Sequence, residues 1–307
     1  MFKSGFVAVI GRPNVGKSTM LNNLMGQKLL IVSDKPQTTR NRIHCILTTE
    51  EAQVVFLDTP GIHRPRHKLG QRMVKTALNT FKGVDLILFL VEGHMPPGPG
   101  DRYITQALAA LKTPVILVLN KMDLKEAVGE GDEGGGQGRE GFKEAYAHLY
   151  PFAGTHEISA LEGTNLGGLT GDILAALPQG PKYYPDDMVT DQPERFVAAE
   201  LIREKIFHLT RDEIPHSTAV VIEEMAEREE GSITDIRAVI HVERESQKGI
   251  VIGKQGRVLK EVGSLARRDL EVLLGCRVYL ELWVKVKRSW RNKDAFLREF
   301  GYGEDLT

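Results

Sequence analysis

Only two cysteines occur in 307 residues, Cys45 and Cys276. They lie far apart and neither has Cys or His partners at metal-ligand spacing. That excludes a disulfide framework and a structural zinc, and makes a reducing cytoplasm the expected setting. His63 and His67 stand four apart, but Pro65 lies between them and no third ligand is evident. No apolar run approaches the ~20 residues needed to span a bilayer. The first strand-like run begins within a few residues of Met1, leaving no room for a signal peptide. A net excess of either charge is missing too, with 40 Lys and Arg against 41 Asp and Glu. That balance hides a local asymmetry near the C-terminus. The length is enough for two domains with cores of their own.

The stretch Gly11-Arg12-Pro13-Asn14-Val15-Gly16-Lys17-Ser18 matches G-x-x-x-x-G-K-[ST], the phosphate-binding P-loop, and Thr19 continues it. The apolar run Phe6 to Ile10 before it reads as a buried strand. Met20, Leu21, Leu24 and Met25 after it read as a helix. Glycines at 11 and 16 let the backbone wrap closely around a phosphate chain. Successive N–H groups then point inward, and the helix N-terminus adds positive potential. Lys17 is placed to reach the β- and γ-phosphates and Ser18 to ligate Mg²⁺.

Between the first helix and the next apolar run lies Gln37-Thr38-Thr39-Arg40. A loop here in nucleoside triphosphatases supplies a Thr that completes the Mg²⁺ shell and senses the γ-phosphate, and Thr39 is the first candidate with Thr38 close behind. Val54 to Leu57 form a buried strand ending in Asp58-Thr59-Pro60-Gly61. Asp58 can hold Mg²⁺ through water, and Gly61 offers its N–H to the γ-phosphate. Ile62 stands where many signalling GTPases carry a water-orienting glutamine, a task isoleucine cannot perform.

Val115 to Leu119 form another strand, ending in Asn120-Lys121-Met122-Asp123. The Asp123 carboxylate can accept hydrogen bonds from N1–H and the 2-amino group of guanine. Adenine has neither donor, so the wrong base leaves a buried carboxylate unpaired. Asn120 should brace the loop, and the stem of Lys121 can lie over the ring. Ser159-Ala160-Leu161 places an N–H near guanine O6. Motifs at successive strand ends, with helices between, predict a doubly wound, mostly parallel α/β sheet with ligand above the carboxyl ends. Residues 125–141, with Gly129 to Gly136 rich in Gly and Glu, read as a surface insertion with no assigned function.

Pro178, Pro181, Pro185 and Pro193 punctuate a polar stretch that reads as a semi-extended linker. The expected division is a nucleotide domain at 1–178, a linker at 179–193 and a second domain at 194–307. The second domain reads α-β-β-α-α-β, with Gly253-Lys254-Gln255-Gly256 between two helices. This is the order of a type II KH module, an α+β fold whose G-x-x-G loop clamps single-stranded RNA. Between Ser246 and Lys293 lie twelve basic residues against four acidic ones. They include Lys254, Arg257, Lys260, Arg267, Lys285, Lys287 and Arg288, the footprint of nucleic-acid binding. Trp283 and Trp290 are candidates for base stacking, although Trp283 is more readily a packing residue of its strand. Lys285 to Lys293 offer a lesser alternative, contact with anionic lipid headgroups.

On these motifs, over nearly the whole chain, the sequence resembles the Era family, bacterial GTPases of small-subunit ribosome assembly. Ile62 fits that resemblance. It implies GTP and GDP binding with Mg²⁺, GTP hydrolysis, binding of the 3′ end of 16S rRNA through the KH domain, and a role in maturing the 30S subunit. It also implies a cytoplasmic protein with loose peripheral association to the inner membrane, and a monomer is expected. Related GTPases use an Asn at the position of Asn14 to help hold K⁺ beside the phosphates. The alternative reading is a membrane-associated signalling GTPase acting on a protein partner.

Overall fold

Strand runs rich in Val, Ile, Leu and Phe with no polar alternation must be buried on both faces, which a parallel sheet flanked by helices provides. The chain has that organisation in a computed structural model, which describes all residues except 63, 64, 66, 126–137, 229–232 and 303–307. The Gly/Glu-rich insertion therefore lies largely outside the described residues. The chain forms two compact units, one of Met1–Leu30, Thr39–Arg64 and Met73–Asp191, the other of Ile31–Thr38, Pro65–Arg72 and Gln192–Thr307.

The elements up to the end of the first unit are β1 (Lys3–Gly11), α1 (Lys17–Met25), β2 (Ile43–Thr48), β3 (Ala52–Asp58), α2 (Lys68–Asn79), β4 (Leu86–Glu92), α3 (Pro99–Leu108), β5 (Val115–Asn120), α4 (Arg139–Ala147), β6 (Gly154–Glu157) and α5 (Leu166–Ala176). The sheet order is β2-β3-β1-β4-β5-β6. All pairs are parallel except β2 with β3. Every residue of β3 and β5 is buried. The chain leaves β1, β3 and β5 at the same sheet end, where the order reverses about β1, so the phosphate, Asp58 and Asn120 motifs share one crevice.

The proline-punctuated stretch is not a free linker. Ser4 and Gly180 donate to the carbonyls of Pro178 and Phe2, and Ile46 of β2 donates to Val189 at 2.9 Å. The Gln53 side chain bonds the backbone of Tyr183 and Tyr184. The otherwise unpaired edge of β2 supplies partners, and the first unit continues to Asp191.

In the second unit the elements are α6 (Glu194–Leu209), α7 (Ile214–Ser217), β7 (Ala219–Glu227), β8 (Ile233–Val242), α8 (Glu245–Ile252), α9 (Arg257–Leu274), β9 (Arg277–Val286) and α10 (Asp294–Glu299). β8 is central, antiparallel to β7 and parallel to β9. Val197, Leu201, Ile236, Ile240, Val251, Val262, Ala266 and Leu270 form its core. α6 also buries charge. Arg203 is fully buried, pairs with Glu200 and donates to the carbonyl of Thr38. Glu204 accepts from Val32 N–H at 3.0 Å and from Lys205 at 2.7 Å, and Lys205 also pairs with Asp269 of α9.

Candidate functional site

The phosphate loop follows directly from β1. Gly11 (φ +153°) and Gly16 (φ +99°) adopt conformations that L side chains avoid. A Cβ at Gly11 would stand 2.4 Å from the Leu90 carbonyl oxygen, and one at Gly16 would stand 2.2 Å from Asn120 Nδ2. Asn14 takes a left-handed φ of 65°, which Asn tolerates better than most residues. Lys17, only 6% exposed, donates to the carbonyls of Arg12 at 2.9 Å and Gly11 at 3.3 Å. Burial lowers its pKa to about 8, with the Asp58 charge opposing. A phosphate chain entering the loop would restore the ammonium's preference for charge.

Ser18 Oγ, Thr39 Oγ1 and Asp58 Oδ2 form a triangle: Ser18 to Asp58 is 3.0 Å, Ser18 to Thr39 3.1 Å and Thr39 to Asp58 3.1 Å. Among the described residues, Asp58 Oδ1 is buried without a hydrogen-bond partner. Burial raises the Asp58 pKa, opposed by Lys17 and by bonds from Ser18, Thr39 and the Thr59 backbone. Three hard oxygens and a carboxylate oxygen lacking a partner fit a small oxygen-seeking cation such as Mg²⁺. Thr59 Oγ1 anchors this strand end to the Val9 carbonyl at 2.8 Å. Gly61 lies so close to Pro13 that a Cβ would come within 2.6 Å of Pro13 N. Ile62 is 3% exposed, belongs to the hydrophobic core with Ile10, Ala77 and Phe89, and donates its N–H to the Gly11 carbonyl at 3.2 Å. Its side chain is therefore a packing element as well as chemically inert.

The base-binding motifs meet the loop through Asn120, which is 1% exposed. Its Nδ2 donates to the Val15 carbonyl at 2.7 Å, and its Oδ1 accepts from Ala160 N–H at 2.8 Å. Asp123 accepts from Ser159 Oγ at 2.6 Å, which fixes one carboxylate oxygen. Pro60 is buried beside Thr59, Met122 packs against the core and Leu161 is 71% exposed. Sequence reasoning missed Asn23 of α1, whose Nδ2 donates to the Ala160 carbonyl at 2.6 Å. It also missed Glu92 and Asp101, which hold Arg12. Nothing in the spacing of these residues announces a role, because only the fold brings them to the motifs.

In the second unit, Gly253 (φ +73°, ψ 172°), Gln255 (φ 52°) and Gly256 (φ +75°) make the turn between α8 and α9. A groove of about 520 Å³ opens beside it, lined by Gly256, Lys260, Gly263, Arg267, Tyr279 and Leu282 among others. Lys254, Arg257, Lys260 and Arg267 are exposed. Arg267 reaches Glu271 only at 4.0 Å. Of the candidate cations, Lys260 and Arg267 line the groove, while Lys254 and Arg257 flank Gly256 in the turn; Lys285, Lys287 and Arg288 are not among its lining residues. Lys285 pairs with Glu223 at 2.9 Å, Lys287 lies 3.4 Å from Glu299, and Arg288 follows β9. Of the two tryptophans, Trp290 cannot stack a base: it is fully buried, donates to the Ser217 carbonyl at 2.8 Å and stacks on Tyr302. Trp283 is 54% exposed, and the groove is lined instead by Tyr279, which lacked a sequence signal.

A family model described as "50S ribosome-binding GTPase" matches residues 6–121, and one described as "KH domain" matches residues 213–291. The GTPase Era of Carboxydothermus hydrogenoformans is 52% identical over 303 residues, 99% of each chain. That of Clostridioides difficile is 54% identical over 306 residues, covering 99% of this chain and all of the other. The chain belongs to the Era GTPases. Solved Era structures agree in fold over 99% of its length. One in complex with MgGDPNP and nucleotides 1506–1542 of 16S ribosomal RNA has a TM-score of 0.92 at 42% identity, over 99% of this chain and all of that one. A variant of Aquifex aeolicus Era bound to GDP·AlF4⁻ gives 0.91 at the same identity and coverage. GTP and GDP binding, GTP hydrolysis and the pairing of a P-loop domain with a KH domain are thus properties of the family to which the chain belongs.

Proposed function

We infer that this Era GTPase couples its nucleotide state to binding of the 3′ end of 16S rRNA, and so assists 16S rRNA processing and small-subunit assembly. The observation that carries this reading is a groove lined by the exposed cations Lys260 and Arg267 beside a Gly-x-x-Gly turn, in a chain 42% identical over nearly its full length to an Era crystallised with that RNA segment. Two glycines allow a sugar-phosphate backbone to approach, Lys254, Arg257 and Lys260 supply charge, and Tyr279 offers a ring face.

In the nucleotide unit, water attacks the γ-phosphate. Lys17 would neutralise the β- and γ-oxygens, and Gly61 N–H would hold the γ-phosphate. Ser18, Thr39 and Asp58 would hold Mg²⁺, which supplies charge neutralisation across the phosphates when bound. Asn120 and Asp123 would select guanine, with Lys121 over the ring. With Ile62 in the core, another group must orient the water. Asn14, with its left-handed backbone in the phosphate loop, would help hold K⁺, a cation able to offset developing charge. Equal hydrolysis rates in potassium and sodium would sink that assignment.

The coupling would run through the segment before Thr39. Thr38 and Val32 are bonded to Arg203 and Glu204 of α6 in the second unit, while Thr39 bonds Asp58 in the first. Ordering Thr39 on a cation and γ-phosphate would therefore pull on a segment tied to the KH unit. The protein would act as a cytoplasmic monomer on the 30S subunit. Any membrane association would be peripheral, since no helix among the described residues is long and apolar enough to cross a bilayer. Titrating a labelled RNA of the 16S 3′-end sequence, with GDP or a non-hydrolysable GTP analogue bound, tests the reading. It requires affinity that falls steeply with salt and differs between the nucleotides. Salt-independent or nucleotide-blind binding would count against it.

A further inference from the structure

Arg12 occupies a position in the phosphate loop where the motif specifies no residue, and its side chain is held by two carboxylates. Its Nε donates to Asp101 Oδ1 at 2.9 Å, and its Nη2 lies 3.3 Å from Glu92 Oε2. The other oxygen of Glu92, Oε1, accepts from Lys121 Nζ. One carboxylate therefore holds two cations, one from the phosphate loop and one from the Asn-Lys-x-Asp motif. Its surroundings are built to keep it there. Glu92 is the last residue of β4 and lies in register with Asn120, the last residue of β5. Gly93 donates its N–H to the Asn120 carbonyl at 2.8 Å, and a Cβ on Gly93 would come within 2.6 Å of Met122 Sδ. Asp101 is fully buried and also accepts from Gly98 N–H at 2.9 Å, so Arg12 is gripped on its other side by a carboxylate that cannot wander. Two anions and two cations alternate along the row Asp101, Arg12, Glu92, Lys121, which leaves no uncompensated charge.

We propose that Glu92 is a positioning residue for guanine nucleotides: it aims the Lys121 stem across the base and, through Arg12, ties base binding to the conformation of the phosphate loop. Lys121 has a positive φ of 65° and a four-carbon stem with many rotamers. Without a fixed partner for its ammonium, the stem would have to be ordered by the base alone. Holding it beforehand removes that entropic cost from nucleotide binding. This rests on the reading that Lys121 covers the base. Asn120 bridges the same two motifs on the buried side, and the ionic row is a second, independent bridge at the rim.

The side chains are partly exposed, 27% for Arg12, 18% for Glu92 and 28% for Lys121, so screening limits the effect. Release of a fluorescent GDP is measured by stopped flow for wild type, Glu92→Gln, Arg12→Ala, the double variant and Lys121→Ala. Glu92→Gln keeps the shape and removes the charge. It should speed release about fivefold and raise KM for GTP by a similar factor, with kcat at saturation unchanged. Because Arg12→Ala also strips the buried Asp101 of its cation, the Arg12 and Glu92 changes are compared on an Asp101→Asn background, where Arg12→Ala should speed release about threefold alone and add little to Glu92→Gln, its remaining influence passing through Glu92. A merely structural role would lower stability without this non-additivity. If Lys121→Ala accelerates release and Glu92→Gln does not, the proposal is overturned while the base reading stands. If the Arg12 and Glu92 effects multiply, the link to the phosphate loop is overturned. If Lys121→Ala has no effect, the base reading fails and the proposal falls with it.

Discussion

The two glycines of the G-x-x-G turn are not equivalent, and their difference separates folding from RNA binding. Gly253 has φ +73° and ψ 172°, a region that essentially only glycine occupies. A Cβ there would meet Val258 Cγ2 at 2.6 Å and the Val258 backbone nitrogen at 3.0 Å. Strain of about 1–3 kcal/mol and overpacking of about 1–3 kcal/mol put Gly253→Ala near a loss of ~4 kcal/mol. Gly256 is left-handed (φ +75°, ψ 12°), and a Cβ on it meets nothing within 4 Å among the described residues. Gly256→Ala should cost only about 1 kcal/mol. Both tryptophans, Trp283 and Trp290, lie in the second unit, and Trp290 is buried, so denaturant titration followed by tryptophan fluorescence reads this unit directly. Gly256→Asp should remain folded yet bind single-stranded RNA at least tenfold more weakly, since a carboxylate would face the RNA backbone. Equal destabilisation by Gly253→Ala and Gly256→Ala would refute the conformational argument. Unchanged RNA affinity in Gly256→Asp would refute the groove.

Two further outcomes follow from the nucleotide unit. Asn120→Ala orphans the Val15 carbonyl and the Ala160 N–H, each a buried group costing about 1–3 kcal/mol when unpaired. GDP affinity should fall by a factor of roughly 30 or more, and isothermal calorimetry showing less than a threefold loss would contradict the bracing role. Lys17, whose pKa burial lowers to about 8, should take up protons when phosphates bind. Calorimetry in buffers of different ionisation heat should register uptake approaching one proton near pH 9 and almost none near pH 7. In the nucleotide-free protein the same lowered pKa disfavours the folded state below about pH 8, and the penalty fades as pH rises toward 10.5. This group therefore makes stability rise with pH over that window, opposite to the trend in nucleotide affinity.

Where the sequence was legible, a local pattern coincided with a local need. Gly11, Gly16 and the Asn120 motif are readable because phosphate and guanine each demand particular residue types at fixed offsets from a strand end. The KH order is readable because amphipathic periodicity separates its helices from its strands. The rest depended on contacts between residues distant in sequence. Prolines in the 178–193 stretch read as a linker, while the pairing of Val189 with Ile46 depends on β2 being a sheet edge. The basic count treated Lys285 and Lys287 like Lys254 and Lys260. Only the fold sets Glu223 and Glu299 beside the first two. Trp290 next to cations suggested stacking, but its indole is spent on the Ser217 carbonyl and the Tyr302 ring. Ile62 was legible as chemically inert, but not as part of the core.

A KH unit that holds the 3′ end of 16S rRNA should be caught on that RNA in cells. The most direct test is crosslinking in cells, with sequencing of the RNA bound to the wild-type protein and to the Gly256→Asp variant. Reads should concentrate near the 3′ end of 16S rRNA with the wild type and be lost with the variant. Reads of equal number and position for the two proteins, or wild-type reads spread over other RNAs, would contradict it.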